Sequence, residues 1–320
     1  MPRLSVIIPV KDGAATLKRC LQSITAQTIA ENLEIIVLDS MSTDGSREIA
    51  LSYGAQIVDI PNGTFDHGLT RNKGVQAATG ELIYLTVQDA WISDTGMLER
   101  MASHFEDVLV KAVVGHQAVP HEKDKNPFIW YRPISAPGIT IKLIAGVEAF
   151  KKLKVKEQQS LVAWDDVVAM YRKDALLQQP FVQTAFAEDW IWSFNALQKG
   201  WKLLRDSSLV VYHYHHHSFQ YTFKSCYTIN YHFYKFFKYK PAYPVLLLPV
   251  IRATYHLMKH QQLSLKEKIY WIGHNVLGKL GFFFSTILFL IRLNIGGEAS
   301  IEKGYQKYCK LIPQGKQKRS

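Results

Sequence analysis

Three groups of residues in this chain have the types and spacing to do chemistry. The first is the stretch TFDHGLTRNKGVQAATGELIYLTVQDA, residues 64–90. Its second half is an apolar run, Leu82, Ile83, Leu85 and Val87, that ends in the carboxylate Asp89. Such a run reads as a buried parallel strand over 81–88. Ligands of open α/β sheets sit beyond the carboxyl ends of the strands, where a carboxylate can hold a metal. Upstream, Arg71 and Asn72 open a helix-like segment that Gly80 ends. A guanidinium beside a helix N-terminus suits a phosphate. These parts imply a site for a metal-bound diphosphate. The second group is Glu188–Asp189, at the first turn of a helix within FAEDWIWSFNALQKGWKLL, where the helix dipole favours negative charge. Trp190, Phe194 and Leu197 are read as its inward face and Gly200 as its end. The third group is the run His213, His215, His216 and His217. In an extended chain, alternation puts His213, His215 and His217 on one face.

The elements that must position these groups alternate. LSVIIPV (4–10) reads as a strand, followed by a helix with Leu17, Leu21 and Ile24 at helical spacing. LEIIVLDS (33–40) is a second buried strand that ends near Asp39, and a turn with Asp44 leads to a helix closed by Gly54. AQIVDI is a short third strand. Strand and helix in alternation predict a parallel α/β sheet. Asp39 and Asp89 fall at strand ends, and Asp12 follows a third. DTGMLERMASHF reads as an amphipathic helix with Met97, Leu98, Met101 and Phe105 on one face, and VLVKAVVGHQAVP as a strand. EKDKNPFIWYRPISAPG reads as a loop, with a lid over a bound ligand as a role open to it. Asp165 and Asp166 precede a further apolar strand, with a structural role and a role beside a bound ligand both open.

The motifs SVIIPVKDGAATLKRCLQSITAQT, EIIVLDSMSTDGS and the Asp89 strand together resemble a family 2 nucleotide-sugar glycosyltransferase of the GT-A fold. FDHGLTRNKG with LTVQDA is similar to the rhamnosyltransferase branch, which uses dTDP-rhamnose to build surface polysaccharides. The resemblance spans roughly residues 4–220, about two thirds of the chain. It implies a nucleotide-sugar site at Pro9, Val10, Asp12, Asp39, Ser42, Arg71, Gln88 and Asp89. A carboxylate such as Asp39 can accept the imide N–H of uracil or thymine; its other reading is a helix cap or turn residue. The family's Asp-x-Asp metal motif is reduced here to Val87-Gln88-Asp89, so only Asp89 remains. The resemblance also implies an H-x-H ligand pair, matched by His213 and His215, and Mg2+ or Mn2+ as cofactor. Glu188–Asp189 matches the ED motif of inverting members. Asp189 is read as the base that deprotonates the acceptor hydroxyl and Glu188 as its orienting partner, with the reverse order and simple helix capping as alternatives.

Composition sets the remaining bounds. The chain has 320 residues and is 48% hydrophobic and 20% charged, which is globular. Its three cysteines, Cys20, Cys226 and Cys309, have neither metal-like nor disulfide-framework spacing, which fits a reducing compartment. The N-terminal apolar run is interrupted too soon by Lys11 and Asp12 to read as a signal peptide. The net charge of +11 is concentrated at the back: residues 221–320 carry 16 Lys and Arg against three Glu and no Asp. This predicts a catalytic domain over 1–220 and a helical, basic and apolar region over 221–320. The longest apolar segment, 269–292, is broken by His274 and Lys279, and its uninterrupted part is shorter than the roughly 20 residues of a spanning helix. It reads as a core helix, a membrane anchor or an interfacial helix. The basic tail KQKRS and the lysine and aromatic flanks favour the interfacial reading, at an anionic cytoplasmic membrane surface. Nucleic acid is disfavoured, since no motif for it is present.

The function so implied is transfer of a sugar, dTDP-L-rhamnose being the favoured donor and a UDP-hexose the alternative, onto a lipid-linked glycan. A catalytically silent nucleotide-sugar-binding scaffold and a nucleotidyltransferase are the readings from other classes. VKDGAATLKRC lacks the Gly-rich basic signature that the latter needs.

Overall fold

The computed structural model describes residues 4–122, 124–131, 137–184 and 186–309. The chain divides into two compact units: Met1–Ala118 with Ile134–Tyr214, and Val119–Pro133 with His215–Ser320.

The first unit begins as strand and helix in turn: β1 (Leu4–Val10), α1 (Ala14–Thr25), β2 (Leu33–Asp39), α2 (Ser46–Ser52), β3 (Gln56–Asp59), α3 (His67–Ala77) and β4 (Leu82–Leu85). These four strands are parallel in the order β3-β2-β1-β4. β1 and β2 are apolar at nearly every position because helices cover the sheet. Leu17, Leu21 and Ile24 of α1 are fully buried against it. Val10 lies opposite Asp39, and Asp39 opposite Asp59, so the three strands end level.

The remainder is α4 (Met97–Ser103), β5 (Val110–Ala118), β6 (Ile139–Lys142), α5 (Val147–Lys152), α6 (Val155–Val162), β7 (Ala169–Arg172), α7 (Lys173–Gln178), α8 (Glu188–Gln198) and β8 (Lys202–Tyr212). The complete sheet has the order β3-β2-β1-β4-β7-β5-β8-β6. It is mixed, which corrects the all-parallel expectation: β7 runs antiparallel to both β4 and β5, and β6 antiparallel to β8. The reversal has a consequence for the site. Ala169, the first residue of β7, pairs with Leu85 at the end of β4 and with Val114 of β5. Asp165 and Asp166 are therefore delivered to the edge where β4 ends. β8, parallel to β5, brings Tyr212 level with Ala118 and leads into the histidine run at the same edge.

Three local expectations change. The strand read over 81–88 is Leu82–Leu85, and Asp89 lies four residues beyond it in a turn. Helix α3 starts at His67, not Arg71; Asp66 caps it by accepting Leu69 N–H at 2.9 Å, and Gly80 lies past its end. The buried face of α8 is Ile191, Trp192, Ala196 and Leu197, while Trp190 and Phe194 are half-buried.

The second unit holds α9 (Phe219–Phe237), α10 (Leu247–Lys259) and α11 (Leu265–Tyr308). Ser264 and Glu267 form a capping box at the start of α11. Gly297, at φ +56°, interrupts α11. Phe289 and Leu293 before this point and Ile301 and Tyr305 after it pack in one cluster with Tyr227 and Tyr231 of α9. Gly304 is needed there: a Cβ on it would come within 2.0 Å of the Tyr227 hydroxyl. His274 and Lys279, which break the apolar run in sequence, do not break the helix. Asn275, beside His274, pairs with Asn126, and Lys279 sits 5.6 Å over the ring of Phe128. By length and composition alone α11 is long and apolar enough to cross a membrane, and 33% of its most apolar window is buried. On α10 Leu247, Leu248, Ile251, Tyr255 and Met258 are exposed, while Ala253 and Leu257 are buried. The segment read as a lid contains a short 3-10 helix at Pro127–Tyr131; residues 123 and 132–136, and the tail KQKRS, lie outside the described residues.

Candidate active site

The site is assembled at the carboxyl end of the sheet. After β4 the chain turns around the end of β1, held by Gln88: its Oε1 accepts Lys11 N–H at 2.9 Å and its Nε2 donates to Lys11 O at 3.2 Å. The amide head of Gln88 thus braces the backbone that presents Asp89. Two residues on, Trp91 and Tyr212 exchange backbone hydrogen bonds of 3.0 and 2.8 Å and stack their rings. This bridge joins the Asp89 turn to the end of β8. His213 Nε2 then lies 3.3 Å from Asp89 Oδ1, both side chains being largely shielded. Asp89, His213 and His215 each offer a ligand atom within 4.8 Å of the others. One carboxylate and two imidazoles form a donor set that fits a divalent ion.

A second cluster is built around Arg71, which lies one turn inside α3 and is buried. Its guanidinium is not open to a phosphate, as a position beside the helix N-terminus would make it. It is ion-paired with Glu188 at the start of α8 and lies 3.6 Å from Asp166. Tyr171 donates its hydroxyl hydrogen to Asp166, and Trp164 Nε1 donates to Tyr171 at 2.6 Å. Burial opposes the charge on Arg71, but Asp166, Glu188 and Asp189 more than offset it and raise its affinity for the proton. The carboxylates respond in the opposite sense. Asp189 is pushed well above the usual carboxylate range by burial and by the charges of Glu188, Asp166 and Asp165, with Arg71 pulling it back. Burial likewise raises Asp166, against Arg71. A carboxyl kept high in this way is suited to receive a proton near neutral pH.

The nucleotide-side residues occupy the level ends of β1 and β2. Pro9 and Val10 close β1 and Asp39 closes β2. Asp39 is buried, accepts Ser42 N–H at 3.2 Å and lies 3.6 Å from Arg47. Asp12, with φ +46°, ties the two loops together: Ser42 Oγ accepts its N–H at 2.9 Å and its Oδ1 accepts Thr43 N–H at 2.9 Å. Asp44 accepts Ala14 N–H at 2.9 Å and Ser46 N–H at 3.1 Å, so it organises the start of α1 as a turn residue.

The model of glycosyl transferase family 2 matches residues 5–176. The O-antigen chain rhamnosyltransferase WbaN of Salmonella anatum is 31% identical over 223 residues, 68% of each chain. RfbN of Salmonella typhimurium, likewise described as an O-antigen chain rhamnosyltransferase, is 30% identical over the same shares. The chain belongs to glycosyl transferase family 2. Among solved structures, a mannosyltransferase from Pyrobaculum calidifontis in complex with GDP-Man and Mn2+ superposes with a TM-score of 0.53 at 13% identity, covering 96% of this chain and 80% of the other. The GT-A-like fold and the rhamnosyltransferase-like character of this transferase are thereby both established.

Gln117 is a contact of this region that no motif in the sequence marks. Gln117, near the end of β5, bridges His213 and Asp165. Its only sequence signal was the polar pair His116-Gln117 closing an apolar strand. The sequence places Asp166 but not its partner, because Arg71 is 95 residues away and the link depends on the reversed β7.

Proposed function

We propose that this transferase inverts the anomeric centre as it moves L-rhamnose from dTDP-L-rhamnose to a lipid-linked glycan in cell-surface polysaccharide synthesis. The observation that carries the reading is the likeness over 68% of both chains to two O-antigen chain rhamnosyltransferases. The donor would lie across the ends of β1, β2 and β4. Asp39 would accept the imide N–H of thymine, with Pro9, Val10, Asp12 and Ser42 lining the nucleoside. Asp89, His213 and His215 would hold Mn2+ or Mg2+, which when bound neutralises charge on the departing nucleoside diphosphate. Asp189 takes the proton from the acceptor hydroxyl. That oxygen forms its bond to the anomeric carbon as the bond to the diphosphate breaks, from the opposite face. Glu188, fixed by Arg71, orients the acceptor, and Arg71 acts through the carboxylates, not on the diphosphate.

The acceptor reading rests on the second unit. Its positive charge and the exposed apolar face of α10 suit the interface of an anionic membrane on the cytoplasmic side, where a polyprenyl-diphosphate-linked glycan would be presented.

Thermal stabilisation of the purified protein by a panel of donors, each with Mn2+ and with Mg2+, tests the function. Stabilisation by dTDP-rhamnose, lost in Asp89→Ala, is the expected result. Stabilisation by a UDP-hexose alone would replace the donor. Binding without transfer to any acceptor would leave a nucleotide-sugar-binding scaffold.

A further inference from the structure

The contacts of Gln117 define the state of the histidine beside Asp89. Gln117 Nε2 donates to Asp165 Oδ2, and Gln117 Oε1 lies 2.9 Å from His213 Nδ1. Asp165 is itself anchored: its Oδ1 accepts Val167 N–H at 3.1 Å. Burial raises the affinity of Asp165 for a proton, but as a carboxylate it only accepts, which matches the NH2 end of the amide facing Asp165 and the carbonyl end facing His213. A carbonyl also only accepts. His213 Nδ1 therefore carries a hydrogen, which leaves Nε2 as the ring nitrogen that can serve as a ligand. Nε2 faces Asp89 Oδ1 at 3.3 Å, so that one divalent cation could take both as ligands. Both ends of the bridge stand on rigid backbone: Gln117 pairs with Val211 in the β5–β8 ladder, and His213 N–H donates to Ala118 O at 3.0 Å.

We infer that Gln117 is a positioning residue that locks His213 in the Nδ1–H tautomer and so readies Nε2 and Asp89 for a divalent cation. The inference rests on the metal reading of Asp89, His213 and His215. It also joins that site to the Arg71 cluster, since Asp165 adjoins Asp166 in the chain. Donating the second ring nitrogen to a fixed acceptor is how protein sites orient metal-binding histidines, and loss of such a partner weakens metal affinity roughly 10–100-fold.

The test is calorimetric titration of the full chain with Mn2+ in the presence of dTDP, for the wild type, Gln117→Leu, His213→Ala and the double variant Q117E/D165N. Gln117→Leu should weaken Mn2+ by roughly 10–100-fold while leaving metal-free dTDP binding unchanged. The double variant reverses the donor and acceptor between positions 117 and 165 but still offers Nδ1–H an acceptor, so it should recover most of the affinity. Nitrogen-15 shifts of His213 give a readout independent of metal: Nδ1 protonated in the wild type and the double variant, a mixture in Gln117→Leu. Wild-type Mn2+ affinity in Gln117→Leu, with affinity lost in His213→Ala, would overturn the role of Gln117 alone. Wild-type affinity in both single variants would overturn the metal site as well.

Discussion

Arg71→Met is the most informative single change in the catalytic unit. It keeps the aliphatic stem inside α3 and removes the guanidinium that faces Glu188 and Asp166, whose side chains are 9% and 1% exposed. Removing one partner of a buried ion pair leaves an uncompensated charge, at a cost of about 3–5 kcal/mol. In a unit of this size each kcal/mol moves the thermal midpoint by about 2–4 °C, so a fall of about 6–20 °C is expected at pH 8. The pH dependence has a defined sign. Asp166 and Asp189 are raised above their unfolded values by burial, and Arg71 lowers both. A carboxyl raised in the folded state contributes stability that is fully present below its unfolded pKa and is lost as the pH climbs through the folded one. Without Arg71 both rise further, so the penalty is largest at pH 8 and shrinks as the pH is lowered and the carboxyls protonate. Thermal unfolding of wild type and variant at pH 8 and pH 5.5, followed by circular dichroism, measures this. Adding Glu188→Gln to Arg71→Met should recover part of the loss at pH 8. An unchanged midpoint at pH 8 with a raised KM for the donor would refute the reasoning, because Arg71 would then be serving a phosphate.

Asp189→Asn should lower transfer by about 10²–10⁴-fold while Mn2+ and dTDP still bind; normal rates would move the base to Glu188. On α10, Leu248→Glu with Ile251→Glu removes two exposed apolar side chains of the kind worth about 1.5–3 kcal/mol each when buried. Sedimentation with vesicles of anionic phospholipid should fall at least about tenfold, and unchanged sedimentation would put the membrane contact elsewhere or remove it.

The parts of the fold that could be read from sequence are those whose physics is local. β1 and β2 are short apolar runs bounded by Lys11 and Ser40, and burial on both faces leaves such strands no alternation to obscure. The helix face of Leu17, Leu21 and Ile24 is visible for the same reason. The start of α3 is less legible because its cap, Asp66, stands five residues before Arg71. The extent of α11 is less legible because charge and polarity at His274 and Lys279 interrupt hydropathy without interrupting the helix.

What could not be read is strand direction, and the site turns on it. AMYR is four residues with no signal of which way they run. Had β7 been parallel to β4, Asp165 and Asp166 would have started at the opposite edge of the sheet, remote from the Asp89 turn. Arg71 would then have faced Glu188 without Asp166, and Gln117 would have had no carboxylate to fix its amide. The antiparallel entry is selected by non-local pairing, Leu82 with Arg172 through Leu85 with Ala169 on one side and Ala112 with Tyr171 on the other. The guanidinium of Arg172 strengthens it from the far end by donating to the carbonyls of Phe105, Val110 and Asp107. The geometry around the candidate metal ligands and the proposed base thus depends on the direction of a four-residue strand, whose Tyr171 also supplies the hydrogen bond to Asp166.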